Sequence, residues 1–376
     1  MRVVTIVGTR PQLIKAAALL PVLQRHHDVV FIDTGQHYDE EMAGTFFAEL
    51  GLPRPHHALA VGGGSVADQV ARMLLALEPL LIAEHPDAIL VIGDTNSTFA
   101  GAMAGATLGI PVAHVEAGLR SFDRRMPEEL NRILTDHLAS LLFAPTPTAL
   151  TNLANEGIRD GVHAVGDLMQ DLASRVSDEV RDPAELERIA AHRAWAAPVP
   201  EQGRYLFATV HRAENREVDA VRAWSFLLGA AGSEERPVIL ALHPGTRAVM
   251  ATMGASLPPN VHAVAPQGYR STLALQLHAA AVLTDSGGVQ REAAWLGTPC
   301  LVLRGTTEWV ELLEGAEAQM VVVGLDADDA LDALARLAPP DRAPEDARTR
   351  AATRKVPSPH AAEAIVDALT RTLTRR

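Results

Sequence analysis

Short apolar runs, each stopped by a glycine or a polar cluster, alternate along this chain with longer stretches whose apolar residues recur at helical spacing. Residues 3–7 are a β-branched run ending at Gly8, with a helix from near Pro11, and 29–32 form a second strand. QHYDEE then leads into a helix expected to turn Phe46, Phe47 and Leu50 to the core. Ser65 is placed as the N-cap of a helix reaching Ala83, with a packing stripe of Val66, Val70, Met73, Leu74, Leu77, Leu80 and Leu81. Strands at 88–92 and 111–115 follow, the first running into GDTNS and the second into HVEAGLRSFDRRMPEELNR. Residues 120–132 carry too many charges and too few periodic apolar positions for a core, and read as a structured active-site loop.

After Val165 the character changes. Two helical stretches within 167–193, joined by SDEVRDPAE, lead to the Ala- and Pro-rich WAAPVPEQG, which suits an interdomain connection. A second series has strands at 205–210, 237–242, 261–265, 281–284, 300–303 and 320–323. This order predicts an α/β protein of two doubly wound Rossmann-like domains facing a central cleft. Residues 1–170 form the first and 171–358 the second. A C-terminal helix at 359–376, apolar at Ala361, Ala362, Ile365, Val366, Leu369 and Leu373, is free to pack back on the N-terminal domain.

The length of 376 residues accommodates two such domains. A formal net charge of −13 disfavours nucleic acid and anionic membrane as partners, so an anionic substrate needs a locally cationic pocket. Lysine occurs only as Lys15 and Lys355, and Cys300 is the only cysteine, which excludes an intrachain disulfide and a cysteine-cluster metal site. The opening apolar run is too short for a signal peptide, and no stretch reaches the length of a membrane span, so the expected location is the cytoplasm.

The strand ends divide by chemistry. The first domain offers Arg10, Lys15, Asp94, Glu116 and Glu128, and the second offers His211, Arg212, His243, Ser286, Gly287, Gly288 and Glu292. Residues 281–299 read as strand, Ser-Gly-Gly turn and helix. The free N–H groups of that first turn, with roughly half a positive charge of helix dipole behind them, favour a diphosphate. Glu292, one turn later, is placed to accept hydrogen bonds from sugar hydroxyls. Asp94 is open to a second reading, as the N-cap of the following helix. No P-loop, Rossmann glycine signature or Tyr-Lys pair of nicotinamide-dependent epimerases is present, and His26-His27 and His56-His57 read as solvated loop histidines.

GTRPQLIK, GDTNST, HVEAGLR, MPEELNR, TVHRAEN, TDSGGVQREA and RGTTEWVE, in that order, resemble the non-hydrolysing UDP-N-acetylglucosamine 2-epimerase family from about Val3 to Gly324. The resemblance implies a glycosyltransferase-B-like fold, a homodimer, and interconversion of UDP-GlcNAc and UDP-ManNAc with no cofactor and no metal. It implies that Arg10, His211, Ser286, Gly287, Gly288 and Glu292 hold the UDP, Glu292 at the ribose, and that Lys15, Asp94, Glu116 and Glu128 surround the hexosamine. Asp94, Glu116, Glu128, His211 and Lys15 form the expected catalytic set, while Arg212, His243 and Arg304 join the substrate-binding residues.

The chemistry is consistent with that implication. The C2 proton is not acidic until the C1–O bond to UDP breaks, after which a carboxylate can take it and leave a 2-acetamidoglucal. Fixed donors stabilise the departing diphosphate. Departures from the family pattern are glycine in HPGT where many relatives have arginine, with Arg247 two places on, Gly305 in RGTTE, and Arg291 beside the cradle. The helix after QHYDEE lacks a glutamine-rich pattern, so little or no allosteric activation by UDP-GlcNAc is expected. A modified diacetamido substrate, a hydrolysing 2-epimerase and a UDP-sugar glycosyltransferase are the alternative readings.

Overall fold

The computed structural model describes residues 1–36, 50–191, 195, 197–212, 214–307, 309–313, 319–356 and 358–373. The helix expected after QHYDEE, with Phe46 and Phe47, lies outside them, and Leu50 is only half-buried. The chain divides into two compact units, Met1–Leu172 with Ser358–Arg376, and Ala173–Pro357.

Within the described residues, the first unit holds strands β1 (Arg2–Val7), β2 (Asp28–Asp33), β3 (His57–Ala58), β4 (Ala88–Ile92), β5 (Val112–Val115), β6 (Leu141–Ala144) and β7 (Val162–Ala164). They form one parallel sheet in the order β3-β2-β1-β4-β5-β6-β7. Strands buried on both faces need no polar alternation, which is why β1 and β4 read as continuous apolar runs. Strand order reverses between β1 and β4, with Ile6 paired to Val91, so the turns after these strands flank the switch point of the sheet. Gln12 fastens them together: its Oε1 accepts from Gly8 N at 2.8 Å and its Nε2 donates to Ile92 O at 2.7 Å.

Ser65 caps the helix Val66–Glu84, with Met73, Leu77 and Leu81 fully buried and Val70, Leu74 and Leu80 packed against the same core; of the expected stripe Val66 is exposed, at 46%. Two other expectations for this unit need correction. His27 is not solvated: its Nε2 is 2.9 Å from Thr370 Oγ1 of the C-terminal helix Ala361–Leu373, which packs on the helix Arg10–His26. His57 lies in β3 with Nε2 2.8 Å from Glu84 Oε1. The charged segment ending at Arg132 is not all loop, since Pro127–Leu138 is a helix with Pro at its first position and Glu128 and Glu129 in its first turn.

The second unit holds β8 (Leu206–Val210), β9 (Val238–Leu242), β10 (Val261–Val264), β11 (Ala281–Thr284), β12 (Cys300–Val302) and β13 (Met320–Val322), parallel in the order β10-β9-β8-β11-β12-β13. Its switch point lies between β8 and β11. Trp224, wholly buried, donates from Nε1 to Asn215 O at 3.0 Å and so supports the HRAEN turn from the core side. The division between units falls inside the helix Leu168–Glu179 and not in WAAPVPEQG. Arg270 of the second unit pairs with Glu179 and, at 3.1 Å, with Glu185 Oε1, which ties the residues after Leu172 to that unit.

Candidate active site

In the first unit the carboxyl ends of β1, β4 and β5 bring Lys15, Asp94 and Glu116 to one edge. Lys15 Nζ and Glu116 Oε2 form an ion pair whose side chains are 9% and 7% exposed. Gly93 lies against this pair, and its backbone conformation favours glycine. A Cβ there would lie 3.4 Å from Lys15 Nζ and 3.5 Å from Glu116 Oε2, and its φ of 71° is in the left-handed region. Glu116 itself has φ 67°, an unfavourable conformation for a side-chain-bearing residue that costs roughly 1–3 kcal/mol and is concentrated at functional sites.

Asp94 is not the cap of the helix Asn96–Thr107; Thr95 is, accepting from Thr98 N at 3.3 Å. That leaves the Asp94 carboxylate for Arg132, with which it forms an ion pair. Arg132 also meets Glu129 Oε2 at 3.0 Å, and Glu129 accepts from Ser121 N at 2.8 Å and Phe122 N at 2.9 Å. Burial raises the Glu129 pKa, but these backbone donors and Arg132 outweigh it and hold the carboxyl below its ordinary value. Glu128, beside it, is exposed in the first helical turn. Of the adjacent pair, Glu129 braces the segment and Glu128 is accessible.

In the second unit Asp285 organises the switch point. Fully buried, it accepts from His211 N at 3.0 Å, Arg212 N at 2.9 Å and Asn215 Nδ2 at 2.9 Å, and its Oδ1 is 3.5 Å from His211 Nδ1. Arg212 Nε donates back to Asp285 O at 3.1 Å. The His211 side chain remains 42% exposed. Ser286 caps the helix Gly287–Leu296, and Ser286, Gly287 and Gly288 are partly exposed at its start, as a phosphate cradle requires. Glu292 is buried and accepts from Gln276 Nε2 at 2.6 Å, which fixes its orientation one turn into that helix.

Of the remaining predicted residues, Arg10 is the half-buried first residue of its helix, and Arg304 Nε lies 3.9 Å from Glu214 Oε1. His243 caps the helix Pro244–Met253, its Nδ1 accepting from Gly245 N at 3.1 Å, while Arg247 is exposed. Arg291 is not available to the cradle as a simple neighbouring cation: its guanidinium lies over the rings of Trp309, at 4.1 Å, and Trp295, at 5.8 Å. Cys300 is buried in β12, where burial pushes its thiol up to about 12, so it is no nucleophile.

Sequence reasoning passed over Asp285, Arg132, Gln12 and Gln276, which position the predicted residues. Asp285 and Arg132 stand inside the motifs TDSGG and MPEELNR and were open to notice there. Gln276 carries no local signal, because its partner is sixteen residues away in another helix.

The family described as UDP-N-acetylglucosamine 2-epimerase matches residues 22–370. A Pseudomonas aeruginosa UDP-2,3-diacetamido-2,3-dideoxy-D-glucuronate 2-epimerase is 42% identical over 336 residues, covering 86% of this chain and 90% of its own. A UDP-N-acetylglucosamine 2-epimerase homolog from Methanococcus maripaludis is 41% identical over 351 residues, covering 90% and 93%. The solved structure of Methanocaldococcus jannaschii UDP-GlcNAc 2-epimerase in complex with UDP-GlcNAc and UDP aligns with TM-score 0.83 at 34% identity, over 99% of this chain and 100% of that one. With two doubly wound units of glycosyltransferase-B-like make-up and a match along most of its length, the chain belongs to the UDP-N-acetylglucosamine 2-epimerase family.

Proposed function

We propose that this protein inverts C2 of a UDP-linked 2-acetamido sugar, interconverting UDP-GlcNAc and UDP-ManNAc. The observation that carries this reading is the Lys15–Glu116 pair at the switch point of the first sheet, on a backbone strained at Glu116. The C1–O bond to UDP breaks with its electrons leaving on the diphosphate. The C2–H electrons become the C1–C2 double bond of the glucal, and the proton passes to a carboxylate. Return of a proton to the opposite face of C2, with UDP re-adding at C1, completes the inversion.

Asp94 faces Arg132 and Glu116 faces Lys15, and one of these two carboxylates removes the C2 proton. The accessible Glu128 serves the other face. In the second unit the Ser286–Gly288 turn receives the diphosphate, with His211 as a donor to the leaving oxygen and Glu292 at the ribose. Arg10, Arg212, His243 and Arg304 complete the substrate-binding set.

The chain works in the cytoplasm as a homodimer. Support for the dimer comes from apolar side chains left exposed on helices of the first unit, Leu75 at 75% and Ile82 at 52% on Val66–Glu84, and Leu134 at 46% on Pro127–Leu138. No helix among the described residues is long and apolar enough to cross a membrane.

The 42% identity to the diacetamido-glucuronate epimerase favours a second reading, the same inversion on a UDP-diacetamido uronic acid. Proton NMR in D2O tests both. Incubation with each UDP-sugar should place deuterium at C2 and produce the C2 epimer of the true substrate. Absence of deuterium from both sugars refutes the reading.

A further inference from the structure

Arg216 ends the single 3-10 turn Glu214–Arg216 that follows β8. Its Nε donates to His211 O at 3.1 Å, which fixes the half-buried guanidinium against the turn bearing His211. Gly245 makes room for it. A Cβ at that position would stand 3.1 Å from Arg216 Nη1 and 3.3 Å from His243 Nδ1, close enough that the guanidinium would have to give by a few tenths of an ångström. The space beside HPGT is filled by an arginine from the neighbouring strand end.

Three features suit this group to an anion. A guanidinium has five N–H donors, and only Nε is used by the protein among the described residues, where no carboxylate pairs with Arg216. In a chain of net charge −13 an unneutralised arginine held by a backbone carbonyl is a placed charge. Beside it, His243 Nδ1 accepts from Gly245 N at 3.1 Å, so the ring hydrogen is on Nε2 and that nitrogen is a donor, with the His211 ring 6.2 Å away.

We propose that Arg216 binds the diphosphate of the UDP-sugar, presenting paired N–H groups to its oxygens as the C1–O bond breaks. This rests on the reading of the protein as a UDP-sugar epimerase. β8 lies between β9 and β11, so the turn bearing Arg216 after β8 has the end of β9 with His243 about one strand spacing, roughly 5 Å, to one side and the end of β11 with the Ser286 turn as far to the other. Two phosphates linked through one oxygen span such a row of strand ends. A hexose C6 carboxylate has the same charge chemistry and is the competing source of the anion.

The test is calorimetric titration of the full chain and of Arg216→Gln with uridine, UDP and UDP-sugars with and without a C6 carboxylate. UDP affinity is expected to fall about tenfold, in line with loss of one charge-assisted contact, with uridine affinity unchanged. Arg216→Lys should recover it in part, because an ammonium lacks the planar fork. Gly245→Ala, which keeps every ionisable group and only crowds the guanidinium, should lower UDP affinity less than Arg216→Gln does. Unchanged UDP affinity in Arg216→Gln, equal losses for uridine and UDP, or a loss confined to the C6 carboxylate sugar would each overturn the assignment. Failure of the underlying epimerase reading is separately visible, as absence of C2 deuteration by the unsubstituted protein.

Discussion

His114 Nδ1 lies 2.6 Å from Asp136 Oδ1, with both side chains wholly withdrawn from solvent. The other ring nitrogen, Nε2, is 2.7 Å from Gly93 O, beside Asp94. Asp136 Oδ2 accepts from Gly118 N at 3.0 Å and from Arg120 at 2.7 Å, and Arg120 continues to Glu156 at 2.7 Å. One buried chain of hydrogen bonds thus joins the turn carrying Asp94 to the turn carrying Glu116. Burial alone would raise the Asp136 pKa, but His114 and Arg120 outweigh it and keep the carboxyl below its ordinary value.

Asp136→Asn should therefore leave Arg120 short of a buried counter-charge and His114 Nδ1 without its carboxylate partner. We expect a loss of about 3 kcal/mol or more in urea unfolding. An unchanged midpoint would show that the chain of bonds contributes nothing to the turns.

Removing the cation beside Glu116 should act on the chemistry more than on binding. Lys15→Met removes the cation that faces the buried Glu116 carboxylate, a change that favours the protonated form. C2 exchange should slow by about a hundredfold or more, and the acid limb of the pH–rate profile should move to higher pH. A profile that keeps its shape while the rate falls would remove Glu116 from the role of base.

Asp285→Asn substitutes an amide for the carboxylate that gathers three N–H donors at the end of β8. The His211 turn should loosen, and UDP affinity measured by calorimetry should fall by about tenfold. Affinity equal to that of the unsubstituted protein would show that the turn holds its shape without Asp285.

Acid should weaken the fold in two stages. His278 is fully buried, donating to Val180 O at 2.9 Å, and burial holds its pKa below the ordinary value. The unfolded chain takes up this proton first. The stability it contributes is complete above about pH 6.5, the unfolded value, and is lost as pH falls toward the folded one. Asp136, also depressed, adds stability that is complete above about pH 3.9 and is lost as pH falls through its folded value. Thermal melts across this range should show a shallower decline below about pH 6.5 for His278→Gln than for the unsubstituted protein.

Much of the fold was legible because parallel strands buried on both faces are nearly continuous apolar runs, and those at 3–7, 88–92, 206–210 and 281–284 are so in one dimension, interrupted only by Thr5, Thr209 and Thr284. The start of the helix Pro127–Leu138 was less legible, because a first helical turn rich in Glu has the charge content of a loop until its backbone bonds are seen.

By itself the sequence determined the alternation of strand and helix, the Ser286–Gly288 turn, and the presence of Lys15, Asp94, Glu116 and Glu128 after apolar runs. Only the tertiary structure decided the partners: Lys15 with Glu116, Asp94 with Arg132, Asp285 with the His211 turn, and Arg216 in the space over Gly245. The physical reason is that backbone periodicity and turn chemistry are local properties of neighbouring residues. A side chain's charge state and aim depend on groups that parallel crossover connections bring together from distant positions, such as Lys15 and Glu116 at 101 residues' separation.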